Sequence, residues 1–259
     1  MSVLHPHFTA QEYERAAAEY LRSLPLEHFM EGIPQATQRE ISLESFALLQ
    51  TRRPDVQYFN ELLIQYPFRG QMRQVVPDNM LVLGTEPIQA NTNYAVELEA
   101  AGPFLVMEYV SPRSERKDYE ESFRKYEQEL KVPYCIQFHP GKQDLRVYRH
   151  DGERYVRLEP DMSGRCHIEE LDLQVGLYQH WVRFWHQGQL LELPAELQQR
   201  LDEQAQKIRQ LEGQVQQMLQ RLRNHVEKRA LKAGRRDILE RLPGITDLDQ
   251  LDALLAELE

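Results

Sequence analysis

The sequence predicts an α/β fold in which helices flank a mixed β-sheet and a helical tail follows. Residues 104–110 are apolar on both faces apart from Glu108, as in a strand that is covered on both sides. A helical pattern near 118–130 and a second apolar run at 134–138 come next. A strand, a helix and a strand joined by short loops form a βαβ unit with parallel strands. Residues 195–241 contain no proline, which favours a long helix.

Helical patterns dominate the chain before the predicted sheet. Residues 10–24 have an amphipathic pattern that ends at Pro25, a residue that stops helices. Residues 42–49 form too short a pattern to separate a strand from a helix. Residues 56–66 are predicted as a helix that stops at Pro67. Apolar side chains recur in this segment at helical spacing: Phe59, Leu62, Leu63 and Tyr66.

Short strands and turns account for most of the chain up to Pro194. Strands are predicted at 80–83, 145–149, 155–158, 171–177 and 181–185. Asp151-Gly152 lies between the second and the third of these, and this dipeptide is a strong hairpin signal. The α/β domain is therefore expected to end near Pro194.

The chain is predicted to divide into an N-terminal helical segment (1–34), an α/β domain (35–195) and a helical tail (196–259). The tail carries a heptad seam whose positions are alternately three and four residues apart: Leu201, Gln204, Ile208, Leu211, Val215, Met218 and Leu222. Such a seam forms either a helix packed on its own domain or a coiled coil between two copies of the chain. Gln204 would weaken the coiled coil, and the sequence leaves both open. A last short helix is predicted at 247–258.

Composition and charge exclude several classes of protein. The net charge of −10 argues against a surface that is basic throughout, but a protein that contacts DNA needs positive charge only along its cleft. Cys135 and Cys166 form no CxxC pair, so a structural zinc site has little support. No apolar run approaches the roughly 18 residues that span a bilayer, and the N-terminus lacks the pattern of a signal peptide. We expect a cytoplasmic protein.

Two acidic residues stand out because each accompanies an apolar strand. Glu108 interrupts the central apolar run, where an unpaired carboxylate costs roughly several kcal/mol unless it is protonated, ion-paired or bound to a metal. Asp78 precedes another apolar strand. Two carboxylates from neighbouring strands can hold Mg²⁺ or Mn²⁺ and leave room for water and a phosphate oxygen. The alternatives are turn chemistry at Asp78 and a structural ion pair of Glu108 with Arg73 or Arg113.

Several short segments follow one another in a fixed order through the middle of the chain. They are Val76-Pro77-Asp78, Met107 to Pro112, Asp118, Tyr126, Val132-Pro133-Tyr134, and the runs 171–177 and 181–184. In this order and spacing they resemble the Uma-two family of restriction endonucleases, over about residues 35–195. The resemblance implies a restriction-endonuclease-like core similar to the PD-(D/E)XK nucleases, with Mg²⁺ or Mn²⁺ as cofactor and DNA as substrate. It also implies that Asp78 and Glu108 are the two metal-binding acids.

The same resemblance suggests further site residues. Members of the family carry a lysine four residues before the tyrosine that matches Tyr126, and Ser122 occupies that position here. Lys125, one turn further on, is the candidate catalytic replacement, and Lys117 is a weaker one. A helical wheel puts Ser122 at the border of the buried stripe and turns Lys125 further toward solvent. Glu61, on the helix predicted before Asp78, is the candidate third metal ligand.

Basic side chains cluster shortly after Glu108. Arg113, Arg116 and Lys117 are the candidates for contacts with nucleic-acid phosphates. Acidic residues are interleaved with them, so a solvated mixed surface is the alternative interpretation.

Two functions from different classes therefore compete. The first is a metal-dependent endonuclease that acts on DNA through Asp78 and Glu108. The second is a nuclease-like fold without activity that serves as an interaction module, with a possible homodimer through its C-terminal helix. Ser122 at the lysine position and the net charge of −10 favour the second.

Overall fold

The computed structural model describes residues 7–24, 32–86, 88, 92–110 and 117–258. It divides into two compact units, of which the first ends at Leu193 and the second begins at Pro194. The first unit contains the β-sheets, and the second is helical.

Two helices precede the first strand. Helix α1 (Ala10–Ser23) begins at Thr9, whose side chain and backbone exchange hydrogen bonds with Glu12, and this capping box satisfies two backbone N–H groups. Helix α2 (Ile33–Arg52) has Pro34 in its first turn, where proline is well tolerated. The predicted first helix is thus confirmed, and the segment that the sequence left open lies inside α2.

The helix predicted at 56–66 is wrong. This segment forms strand β1 (Val56–Asn60) and the start of strand β2 (Leu63–Phe68), separated by a turn in which Glu61 has a φ of 48°. β1 pairs antiparallel with β4 (Asn79–Leu83). Its backbone hydrogen bonds therefore go to a strand that is distant in sequence, and local spacing does not reveal such a partner.

The largest sheet, which we call the central sheet, is mixed and has six strands, in the order β1-β4-β6-β7-β8-β9. The strands not yet bounded are β6 (Pro103–Tyr109), β7 (Tyr134–His139), β8 (Asp144–His150) and β9 (Tyr155–Arg157). β6 and β7 are parallel, whereas the other neighbours are antiparallel. The predicted βαβ unit and the hairpin at Asp151-Gly152 are both confirmed.

Two smaller sheets complete the first unit. One has the order β3-β2-β5, with β3 at Gln71–Val75 and β5 at Asn93–Ala95. Pro67 lies in β2 beyond the residues that pair with β5, where the strand needs no donor on that side. The other sheet is antiparallel and comprises β10 (Arg165–Ile168), β11 (Leu173–Tyr178), β12 (Trp181–His186) and β13 (Gln189–Leu190).

The helix between β6 and β7 changes its period part of the way along. It begins as α3 (Lys117–Arg124) and continues as a π-helical turn over Lys125–Leu130. The backbone N–H of Lys131 donates to the carbonyl of Tyr126, five residues earlier. Such turns hold one extra residue and are frequent at functional sites.

The central sheet has an apolar core on each face because side chains alternate along its strands. Leu105, Met107 and Tyr109 of β6 pack in a cluster with Phe46 and Leu49 of α2. Val106 packs on the opposite face with Tyr126 and Cys135. Glu108 shares the parity of Val106, so its side chain lies on the face that Tyr126 covers.

The second unit consists of α4 (Pro194–Ala233), α5 (Arg236–Arg241) and α6 (Leu248–Ala256). The C-terminal half of α4 packs with α5 and α6 around buried apolar side chains: Leu219, Val226, Ala230, Ile238, Leu242, Leu251 and Leu254. The earlier heptad positions are exposed, among them Ile208 and Met218. Within the described residues, each helix is too short or too polar to cross a membrane.

Candidate metal centre

Asp78 and Glu108 lie opposite each other at one end of the central sheet. The antiparallel register of β4 and β6 pairs Asn79 with Met107, and continuing it by one residue sets Asp78 against Glu108. Directly opposed side chains of an antiparallel pair have their Cβ atoms roughly 5 Å apart on one face. We call these two residues the acid pair.

Hydrogen bonds fix both carboxyl groups. The backbone N–H of Tyr109 donates to Asp78 Oδ2 at 2.5 Å. The Tyr126 hydroxyl donates to Glu108 Oε1 at 2.6 Å, and this tyrosine is fully buried in the π-helical turn. Each acid is therefore held by a group with little freedom to move.

A buried polar network supports the same end of the sheet. Asn79 is fully buried; it accepts a hydrogen bond from the Tyr109 hydroxyl and donates to Asn60 Oδ1 at 3.2 Å. These contacts tie β1, β4 and β6 together beside the acid pair.

The acid pair holds protons more tightly than ordinary carboxyl groups. Burial raises the pKa of Asp78 to about 6, against the opposing effects of the Tyr109 N–H and the charge of Arg39. Burial and the negative charge of Asp78 raise the pKa of Glu108 well above its ordinary value. Two neighbouring carboxylates cannot both ionise cheaply, because like charges that are poorly solvated repel each other. A divalent cation would remove that repulsion.

Arg39 supplies positive charge at the site, and no pattern in the sequence indicates this role. Its guanidinium Nη2 lies 2.5 Å from Glu61 Oε1, and its charge lowers the pKa of Asp78. Arg39 comes from α2, just before the segment 42–49 whose pattern is too short to separate a strand from a helix.

Glu61 reaches the site from a turn, not from the predicted helix. Its backbone N–H donates to the carbonyl oxygen of Asp78 at 3.2 Å, and its carboxylate is half-exposed and paired with Arg39. Its negative charge raises the pKa of Asp78, so the two carboxylates interact. Its role as a third metal ligand stays a prediction.

Of the cationic residues suggested by the sequence, the structure describes the side chain of Lys125. Lys125 Nζ lies 2.9 Å from Glu121 Oε1 and donates to the carbonyl of Gln74 at 3.1 Å, so these contacts engage its ammonium with groups outside the acid pair. Its catalytic role stays a prediction. Arg113 and Arg116 lie outside the described residues, as does the side chain of Lys117.

The structure contradicts one of the two ion pairs suggested as a structural alternative for Glu108. Arg73 pairs with Glu129, with 4.0 Å between Nε and Oε2, and among the described residues Glu108 is hydrogen-bonded to the neutral hydroxyl of Tyr126 and to Asp78. Arg113, the other suggested partner, lies outside the described residues.

The residues present fit a divalent cation held by two carboxylates. Among the described residues, no group of three or more His, Cys, Asp and Glu side chains is arranged to hold a metal ion. Mg²⁺ nevertheless needs only one or two protein carboxylates when water and phosphate oxygens complete its octahedron. The mutual repulsion within the acid pair is what such a cation relieves.

The chain is similar to known proteins in a family comparison and in a structural comparison. The model of the Uma2 family, described as "Putative restriction endonuclease", matches residues 11–179. The chain is also similar to a solved structure, "a putative nuclease belonging to DUF820 from Anabaena variabilis ATCC 29413". That alignment has 16% identity and a TM-score of 0.39, and it covers 55% of this chain and 75% of the other. No curated protein matches the sequence.

The family match takes in α1, α2 and all strands from β1 to β11, and it includes both members of the acid pair. The match begins at residue 11, whereas the resemblance in the sequence covers about residues 35–195. Helix α1 therefore lies in the matched region. Because the match spans more than half of the residues of this chain, the chain belongs to the Uma2 family.

Proposed function

We propose that the protein is a metal-dependent nuclease that hydrolyses phosphodiester bonds of DNA in the cytoplasm. The observation that carries this proposal is the acid pair: two opposed carboxyl groups, poorly solvated, on adjacent strands. This arrangement lowers the stability of the native state, because burying like charges is unfavourable. Perturbed carboxyl groups of this kind cluster at functional sites.

Asp78 and Glu108 would hold Mg²⁺ or Mn²⁺ through their carboxylate oxygens. When bound, the cation supplies acidification of a water molecule and offsets negative charge on the phosphate. Tyr126 keeps the Glu108 carboxyl in place, and the Tyr109 N–H does the same for Asp78. In the reaction a water oxygen bonds to phosphorus, the bond from phosphorus to the leaving sugar oxygen breaks, and the proton lost by the water passes to the leaving oxygen or to solvent.

A cationic side chain near the acid pair would contact the scissile phosphate. Arg39 is favoured for this role, because its charge already acts on Asp78 and its planar guanidinium matches phosphate oxygens. Lys125 is the alternative that the sequence suggests. Either side chain would stabilise negative charge that grows as water attacks.

We expect Arg39→Gln to lower the rate of DNA cleavage by about 10²-fold, the usual effect of removing one donor to transition-state charge. Lys125→Gln should lower it far less. The measurement is cleavage of duplex DNA in Mg²⁺ or Mn²⁺, with EDTA as the blank. Arg15→Gln is the matched control, since it removes the same charge from a 78% exposed side chain on α1 and should leave the rate unchanged.

The opposite ranking, with Lys125→Gln inactive and Arg39→Gln unaffected, would return the role to the lysine. Absence of metal-dependent cleavage in the wild-type protein on duplex and single-stranded DNA would overturn the nuclease proposal.

A second candidate function is self-association through α4. The seam is exposed along the first half of this helix: Leu201 is 58% exposed, Ile208 56% and Leu211 51%. In a parallel pair of such helices, Lys207 at a g position would face Glu212 at an e position of the second copy, which is an attractive pairing.

We expect the wild-type protein to be a dimer and the double variant Leu211→Glu/Val215→Glu to be a monomer, because the variant sets negative charges against each other in the seam. Both side chains are exposed within the described structure, so the substitutions should leave the fold intact. The measurement is sedimentation equilibrium over a range of concentrations. Gln210→Glu/Gln217→Glu is the matched control, since it adds the same charge outside the seam, and a monomeric wild-type protein would contradict the proposal.

A further inference from the structure

An arginine-lined cavity lies between the β2–β3 hairpin and the helix that follows β6. Its volume is about 360 Å³. The lining residues are Phe68, Arg69, Gln71, Arg73, Arg124 and Gln128. We call it the arginine pocket. Its lining is unusual in a chain with a net charge of −10, since it combines arginines with amide donors and has no carboxylate among its lining residues.

The positive charge of the pocket is only partly offset by its surroundings. Glu129 is fully buried behind it, 3.0 Å from Arg124 Nη1 and 4.0 Å from Arg73 Nε, and it also accepts a hydrogen bond from the Tyr66 hydroxyl. The contact with Lys125 and the charges of both arginines lower the pKa of Glu121. The carboxylate of Glu121 is paired with Lys125. One buried carboxylate therefore serves two of the three arginines.

The arginines retain donors that can reach a ligand. The side chains of Arg73 and Arg124 are 43% and 46% exposed despite their contacts with Glu129. Arg73 Nε is buried and has no hydrogen-bond partner among the described residues. Glu129 thus lies beside the two guanidinium groups, and each arginine keeps an exposed part that a ligand can contact.

Arg69 lines the pocket from a strained backbone position. Arg69 and Gly70 form the two-residue loop of the hairpin, with φ values of 52° and 74°. The first value is uncommon for a residue with a long side chain. Asparagine or glycine would suit this turn better, so an arginine here has a cost in stability, which is offset in part by its guanidinium lying 5.2 Å from the centre of the Phe68 ring.

The pocket is connected to the acid pair along two short stretches of chain. Arg73 precedes Asp78 by five residues and Arg124 precedes Tyr126 by two. Five extended residues span at most about 18 Å, which corresponds to about five nucleotides along the axis of a DNA duplex. A strand bound at the acid pair would therefore have phosphates within reach of the pocket.

We infer that the arginine pocket binds a backbone phosphate of DNA a few nucleotides from the bond that is cleaved. Planar guanidinium groups bind phosphate through paired N–H donors, and Gln71 and Gln128 add neutral donors. The inference rests on the proposed function for the choice of DNA, and it assigns positioning of the substrate, not chemistry, to these residues.

The test is binding of fluorescently labelled duplex DNA to the full-length protein in EDTA, measured by anisotropy over a range of salt concentrations. Each phosphate contact contributes about 0.9 to the slope of log K against log salt. We expect Arg69→Gln to weaken binding several-fold and to reduce that slope by up to about one. The variant Arg73→Gln/Arg124→Gln/Glu129→Gln should do the same or more, and its Glu129→Gln change avoids leaving a buried carboxylate unpaired.

Arg15→Gln is the matched control. It removes the same charge from a 78% exposed side chain on α1 and should leave the affinity and the slope unchanged. Wild-type affinity and slope in both pocket variants would overturn the inference, and so would a wild-type protein that does not bind duplex DNA. Metal binding is measured separately by melting with Mn²⁺. A protein that binds Mn²⁺ but shows no pocket effect refutes the pocket alone, whereas a pocket effect without metal binding refutes the nuclease.

Discussion

Glu108→Gln should abolish the stabilisation that millimolar Mn²⁺ gives to the wild-type protein, and it should reduce DNA cleavage by about 10³-fold or more. A ligand at 100 times its Kd stabilises the native state by about 2.7 kcal/mol. For a unit of this size that shift corresponds to a rise of roughly 5–10 °C in melting temperature. Glutamine fills the same space and still accepts the hydrogen bond from Tyr126, but it lacks the charge that a cation requires.

Thermal melting with and without Mn²⁺ checks the first part, and a cleavage assay checks the second. Asp78→Asn should behave in the same way. Glu121→Gln is the control, because this carboxylate is 54% exposed and paired with Lys125, so its loss should leave the metal effect intact. An undiminished Mn²⁺ shift in both acid-pair variants would show that the cation binds elsewhere.

Without metal, the acid pair should make the native state less stable as the pH rises from about 4 to 7. The folded pKa of Asp78 is about 6 and its ordinary value is 3.8, so between these values the native state binds more protons than the unfolded state. Stability then falls with increasing pH. The contribution is about 2 kcal/mol, since one pKa unit corresponds to about 1.4 kcal/mol and the side chain keeps some contact with water.

Asp78→Asn isolates this contribution, because it removes the titration of Asp78 but keeps an oxygen to accept from the Tyr109 N–H. In EDTA, the variant should gain stability relative to the wild-type protein as the pH rises from about 4 to 7, and above pH 6 it should be the more stable of the two. Urea unfolding at several pH values measures the difference. A difference that does not change with pH would mean that the acid pair titrates normally and is not a site of stored repulsion.

Much of the candidate site was predictable, because a charge within an apolar run is visible without a structure. Glu108 is such a charge, and Asp78 could be paired with it once two neighbouring strands were predicted. The role of Arg39 could not be predicted, since its contact with Glu61 joins residues that are 22 positions apart. This contact depends on how α2 packs against the turn that holds Glu61. The segment 56–66 was misinterpreted for a related reason: strand β1 is defined by its pairing with β4, whereas the apolar side chains within it happen to recur at helical spacing.

The π-helical turn has a consequence for which side chains of this helix can face the sheet. A helical wheel of constant period turns Lys125 toward solvent, yet this side chain is only 16% exposed and reaches Gln74. The period changes at Lys125, so counting back from Tyr126 to Ser122 crosses a shift in phase. Over evolution, the insertion or deletion of one residue in this turn would bring a different side chain to face the sheet without any substitution. An alignment of relatives should therefore allow an insertion or deletion of one residue in this turn. A lysine can be absent from the matching position because the helix is shifted in phase, and not only because it has been substituted.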